Sequence, residues 1–335
     1  MTRPEMIRGV RACLSALGLA ALAARGGCET LELQPGTQLE LADATTAAQL
    51  MGTPDAYLRR MSPFDRAARM RVIEPPSAED FAKHVAENVR DFSDPERARM
   101  QAALAEVRPL LAPLRLAFPE RITIVKTNGL EDINEPYCRG PVIVLPQKLF
   151  TTDRRDLTHT LLHELFHVFS SQHPELRERL YALLDYRRCT ELTLPPREDE
   201  RRFTNPDAMN FDYYTILRHE EREFAAMPVL LARGEHFDPA AKGGVFAQVA
   251  LVLVEIEVSE GRATPVLDAA GAVVMRPAEA VPAYLQRMAR NTGYNLHPEE
   301  VLADNFVHAA RRTAGLDVPE LPVKLLEVMQ SAAPR

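Results

Sequence analysis

The sequence predicts a helix-rich α+β domain, with a small cluster of strands on each side of one central helix. Three observations lead there. Residues 121–127 (RITIVKT) and 141–146 (PVIVLP) are short, rich in β-branched residues and bounded by turn formers, as strands are. Residues 153–171 follow as a run with no Pro or Gly and an apolar second half. Two further apolar runs, 245–258 and 263–275, come after a polar stretch, and helical patterns then resume. Strands and helices in separate blocks indicate α+β rather than alternating βαβ units.

In chain order, residues 29–55 lack strong periodicity and contain Pro35-Gly36. They are expected to be a tether or an irregular N-terminal segment, with the main domain over 56–335. Ser77 suits an N-cap, and Phe81, Val85, Val89 and Phe92 then mark one helical face. Asp94-Pro95 opens another helix with Leu104, Val107, Leu111 and Leu114 as its stripe. Pro109 and Pro113 should kink or end it. Asn128-Gly129 after the first strand is a turn signal. Thr152 or Asp153 caps the central helix, a further helix covers about 174–186, and 190–210 is a polar loop rich in Pro and Arg. The runs 245–258 and 263–275 read as a hairpin or a pair of strands. Helices follow near Glu279, Pro298 and Pro319. No internal repeat is present.

The net charge of −7 removes the basic field that nucleic-acid binding needs. The absence of Trp argues against a carbohydrate-stacking surface. Arg3, Arg8 and Arg11 precede an apolar run at 14–24, which is too short to span a bilayer and has the layout of an export signal. Cleavage near Ala23 would give a secreted protein. Gly26-Gly27-Cys28 instead resembles a bacterial lipoprotein box, with residues 1–28 as the lipoprotein signal and membrane attachment through lipidated Cys28. Arg25 stands where that box has an aliphatic residue. The expected location is therefore the periplasm, the outer membrane as a lipoprotein, or the exterior. Cys138 and Cys189 could pair in an oxidising compartment or remain buried thiols.

The chemistry concentrates in His163-Glu164-Leu165-Phe166-His167. On a helix, His163 and His167 leave the same face one turn apart. Two ring nitrogens can then reach one metal at about 2.0–2.1 Å each. Glu164 is rotated about 100° away, free to act as general base toward an attacking water. The bland alternative is a helix with two unrelated histidines. His159 lies one turn earlier and reads as a rim histidine.

A catalytic zinc needs a third protein ligand, and two candidates compete. Pro298 suits the first position of a helix that puts Glu300 and Asp304 on one face. Glu300 could bind the metal, and Asp304 could orient a ligand histidine through its other ring nitrogen. With this pair the chain resembles the gluzincins, the thermolysin-like zinc metallopeptidases that carry H-E-x-x-H on one helix and E-x-x-x-D/E on a later one. The resemblance rests on 163–167 and 300–304 only. It implies a zincin-like fold, zinc as cofactor, and His163, His167 and Glu300 as ligands. The tract 291–306 also looks like that of a group of uncharacterised secreted bacterial proteins with an H-E-x-x-H helix. The second candidate is His173, which gives H-E-x-x-H-x-x-S-x-x-H. That resembles the metzincins, although they have Gly where this chain has Ser170. Met209 would then be offered as the methionine turn.

For a donor to the developing oxyanion, Tyr294 is the first choice, with Tyr213, Tyr214 and His219 as alternatives. Each could equally be a packing residue. The strand 141–146 reads either as an edge strand that pairs with an extended peptide or as an internal strand. The preferred expectation is a zinc metallopeptidase acting on a polypeptide or peptide. The alternatives are a non-enzymatic envelope lipoprotein that keeps the scaffold as a binding module, and a zinc hydrolase of non-peptide amides. The enzyme could also be latent, with the stretch before Ser62 over the cleft.

Overall fold

The computed structural model describes residues 28–151 and 157–332. The export-type segment at 1–27 and the cap expected at Thr152 or Asp153 lie outside them. The fold is mixed α+β.

The stretch expected to be a tether is part of the core. Strands β1 (Glu29–Gln34) and β2 (Thr37–Leu41) form an antiparallel hairpin turning at Pro35-Gly36. Leu31, Leu33, Leu39 and Leu41 alternate with polar residues, and the last three are buried in the main core. This is a period-2 pattern around a turn dipeptide. Gly36 supplies the positive φ (84°) that the turn requires. Helices α1 (Ala44–Met51), α2 (Ala56–Arg60), α3 (Pro63–Met70) and α4 (Ala78–Glu87) follow, capped by Asp43, Asp55, Ser62 and Ser77. After the short β3 (Val89–Arg90), α5 (Asp94–Leu111) runs through Pro109, and the chain leaves helical form in the turn containing Pro113.

The first sheet adds β4 (Arg121–Thr127), β5 (Tyr137–Arg139) and β6 (Val142–Pro146), in the order β1-β2-β4-β6-β5, with β3 also on β4. Strands β2, β4 and β6 are parallel, and β5 is antiparallel to β6. The edge-strand reading of 141–146 is therefore corrected: β6 is internal and β5 is the edge. Ile143 and Leu145 face one core, Val142 and Val144 the other. Burial on both faces is why this strand is apolar without alternation. On the Ile143 side lie α5 and the central helix α6 (Leu157–Gln172). On the other side lie α1, α2 and α4. Helices α1 and α2, which precede Ser62, thus pack on the face away from α6, and among the described residues none that lines the cleft precedes Glu135.

Beyond α7 (Pro174–Ala182) and β7 (Tyr186–Arg188), the polar loop contains the short helix α8 (Pro196–Asp199) and a 3-10 turn at Pro206–Ala208. The second sheet is antiparallel, with β8 (Tyr213–His219), β9 (Arg222–Ala232), β10 (Val249–Ser259), β11 (Arg262–Pro265) and β12 (Met275–Pro277) joining β7. The strand expected from residue 245 begins four residues later. Gly243 and Gly244, both at positive φ, lead instead into α9 (Gly244–Gln248). Helices α10 (Pro282–Met288), α11 (Pro298–Arg311) and α12 (Glu320–Gln330) close the chain, with α11 packed on α6. Among the described residues, no helix is long and apolar enough to cross a membrane. Cys138 and Cys189 are both free thiols.

One buried carboxyl makes stability depend on pH. Glu131, in the turn between β4 and β5, is 1% exposed. Burial, aided by the Asp132 charge and opposed by the nearby Thr127 hydroxyl and backbone N–H groups, pushes it from 4.5 to about 7. Between those values the folded chain holds a proton that the unfolded chain has released. The contribution is therefore fully present below pH 4.5 and is lost as pH rises toward and through 7. Its size is about 3 kcal/mol. Glu131→Gln is expected to flatten that part of the profile and to be the more stable form at pH 8. Urea unfolding of both chains at pH 5 and pH 8 checks this, and parallel profiles would refute it.

Candidate metal centre

Helix α6 is built to be buried. Leu161, Leu162, Leu165, Phe166, Val168 and Phe169 are fully enclosed, so only a narrow polar edge remains. His163 and His167 occupy that edge with ring centroids 4.8 Å apart. Helix α11 begins at Pro298, with His297 as its N-cap accepting from the Glu299 N–H. Its packing on α6 carries Glu300 to the histidines.

Glu300 Oε2 lies 3.2 Å from His163 Nε2 and 3.5 Å from His167 Nε2. Two ligands of a tetrahedral ion, each about 2.0–2.1 Å from it, stand roughly 3.4 Å apart. His167 Nε2 is buried and has no hydrogen-bond partner. The remaining nitrogens are engaged: His163 Nδ1 is 2.9 Å from Asp304 Oδ1, and His167 Nδ1 is 3.2 Å from Glu299 Oε1. Nδ1–H donation to a carboxylate directs the Nε2 lone pair of each ring at Glu300, the arrangement by which histidines are set for a metal. His163, His167 and Glu300 thus form a buried grouping that could hold a metal ion.

The electrostatics agree. Burial pushes His163 down, but its bonds to Asp304 and Glu300 outweigh this and raise it to about 9. His167 is likewise held above its usual range, burial being outweighed by Asp207, Glu300 and Glu299. Glu300 is held well below the carboxylate range, because the two imidazoles overcome its burial. The carboxylates demand positive charge at this point, and a dication between the Nε2 atoms would supply what two imidazolium protons otherwise do.

Around this centre is a cleft of about 520 Å³. Glu164 lines it, almost fully buried, with burial raising its carboxyl above the usual range. Its Oε2 accepts from the Cys138 thiol at 3.3 Å. Tyr294 stands on the rim, its ring centroid 6.2 Å from that of His163. The Glu300 charge, then burial, keep the phenol protonated. His159 lines the cleft 3.9 Å from Asp304, as a rim residue. Tyr213, Tyr214 and His219, the alternative donors, lie on β8 and do not line the cleft; Tyr213 packs on Tyr181.

The His173 reading is corrected. Helix α6 continues straight to Gln172, so the chain makes no turn back toward the centre. His173 stacks on Phe169 and bonds the Ala117 carbonyl at 2.8 Å. Ser170, the position where a metzincin has Gly, donates to Glu299 Oε2 at 3.0 Å. Met209 packs with the cluster around Tyr57 and Met61 on the far face of the first sheet. Comparison with known proteins gives no match: no family model, no curated protein and no solved structure matches this chain.

Several residues of the centre are absent from the sequence reading. Glu299, fully buried, is held by Ser170, Tyr181 and Arg177. Only its position beside Glu300 after Pro298 signalled it. Asn205 donates to Glu300 Oε1 at 2.6 Å, and Thr292 donates to Asp304 Oδ2. Asp207 accepts the Cys138 backbone N–H at 2.7 Å, capping the outer edge of β5, where Tyr137 and Cys138 are buried. Burial, reinforced by Glu164 and Glu300, raises Asp207 well above the usual range although His167 opposes it.

Proposed function

We propose that this chain is a single-zinc metallopeptidase of the gluzincin type, with a zincin-like fold and the ligands His163, His167 and Glu300. The observation that carries the reading is the placing of one Glu300 oxygen against both Nε2 atoms, with Glu164 in the adjoining cleft. Two imidazoles and a carboxylate, with room for one more ligand, form the donor set of a catalytic zinc. Zinc bound there would supply Lewis acidity, easing the ionisation of water and polarising a carbonyl.

The chain's own groups supply the rest. Asp304 and Glu299 fix the tautomers and angles of the two histidines. Glu164 accepts the proton of the attacking water and delivers it to the leaving amine, a task favoured by a carboxyl that burial holds above its usual range. The Tyr294 phenol donates to the oxyanion that develops on the carbonyl oxygen. The substrate class, a polypeptide or peptide, rests on the donor set and its general base alone, since the outward N–H of β5 is already taken by Asp207. We propose separately, from the export-type layout of residues 1–28, that it acts on proteins or peptides of the cell envelope as a secreted enzyme or one anchored through Cys28.

Elemental analysis of the purified chain tests the centre. In the chain as purified, with no metal added, one zinc is expected in the wild type and in His173→Ala, and background zinc in Glu300→Ala. A wild type that takes up no zinc after reconstitution would overturn the reading. So would loss of zinc in His173→Ala with retention in Glu300→Ala. Cleavage of a peptide library by the zinc-loaded wild type then tests the hydrolase.

A further inference from the structure

We propose that Cys138, Glu164 and Asp207 form a second cation site, for a thiophilic dication such as Zn2+ or Cd2+, beside the His163–His167–Glu300 centre. The three come from separate elements: the edge strand β5, the motif helix α6 and the loop before β8. Their ligand atoms nevertheless lie within 4.8 Å of one another. The cluster is held in register by its own contacts. The Cys138 thiol donates to Glu164 Oε2 at 3.3 Å, and the Cys138 N–H donates to Asp207 Oδ1 at 2.7 Å.

The surroundings are compatible with a cation. Among the described residues, no Lys or Arg lines the cleft that Glu164 and Asp207 face, so an ion held there meets two carboxyls and a thiol and no ammonium or guanidinium group along that wall.

The sulfur decides the class of ion. Magnesium and calcium take oxygen ligands only, whereas zinc and cadmium accept a thiolate with carboxylates. Binding replaces the thiol proton, which leaves to solvent, and nothing is oxidised or reduced. One consequence rests on the peptidase reading. A Glu164 carboxylate that ligates a second ion has its charge drawn toward that ion and is a weaker base toward water. Excess metal would then slow the step that needs the general base.

Titration of the full chain with Cd2+ alone, followed by ultraviolet absorption, tests the site. The wild type should take up two equivalents, one silent and one with the thiolate-to-cadmium charge-transfer band. Cys138→Ser, close in size to the native side chain, should bind one equivalent and show no band. Asp207→Asn should show the band only at cadmium concentrations at least about tenfold higher. His163→Ala should lose the silent equivalent and keep the band, so failure of the peptidase centre and failure of this site give different results. A wild type that saturates at one silent equivalent would overturn the proposal, as would a band that survives in Cys138→Ser.

Discussion

Glu164→Gln is expected to lower kcat about 10²–10⁴-fold, with KM moved little and the zinc content of the purified chain, to which no metal is added, unchanged. Glutamine keeps the size and the cleft-facing position of Glu164 but cannot accept a proton. Glu164 is not among the three residues that converge at Nε2 and Oε2 distances of 3.2 and 3.5 Å, so the ion should remain. Loss of turnover with retained metal separates the general base from the ligands, whose removal takes the ion away as well. The measurement is the initial rate on any peptide that the wild type cleaves, beside elemental analysis of the same samples. A variant that keeps wild-type turnover would remove Glu164 from the mechanism.

Arg69→Ala is expected to destabilise the chain by about 3–5 kcal/mol, lowering Tm by on the order of 10 °C. The guanidinium is 3% exposed, and it pairs with Asp132 and lies 3.4 Å from Asp65. It also donates to the Thr204 carbonyl at 2.7 Å and lies 4.6 Å above the Phe203 ring. Its removal strands two buried carboxylates and leaves a void under the loop that supplies Asn205 and Asp207. Adding Asp132→Asn should recover part of the loss, because one of the stranded charges is then gone. Thermal unfolding of the single and double variants decides the matter. A shift of only one or two degrees in Arg69→Ala would mean that the carboxylates find protons or water at little cost.

The parts of the centre legible in the sequence are those fixed by spacing along one helix. His163 and His167 are one turn apart on α6, and Glu300 and Asp304 one turn apart on α11. Helical geometry alone then says which residues share a face. That α6 and α11 meet is a tertiary fact, and the choice between Glu300 and His173 had to await it. Asn205, Asp207 and Cys138 were not legible, because each reaches the site through a loop or a strand edge whose path is set by distant contacts. Arg69 is an example: it lies more than a hundred residues before the loop it holds. The hairpin at 29–41 was legible in principle, since LELQPGTQLEL alternates on both sides of a turn dipeptide. Pro35-Gly36 by itself suits a tether or irregular segment, but here it is the turn that returns the second strand to β4. At residues 141–146 the pattern showed a strand, but it could not show that β5 would fold back and cover its edge.

The distance in sequence between the two helices has a thermodynamic consequence. His163 and Glu300 are 137 residues apart, so an ion held by both is a cross-link that closes most of the second half of the chain. The unfolded chain can hold such an ion only by paying the entropy of closing that loop. Ion binding is therefore strongly biased toward the folded form and adds directly to its stability, by about 4 kcal/mol at a free concentration one thousand times Kd. Chelation would act on the whole domain, loosening the contact between α6 and α11, and the apparent Tm would track the free metal concentration.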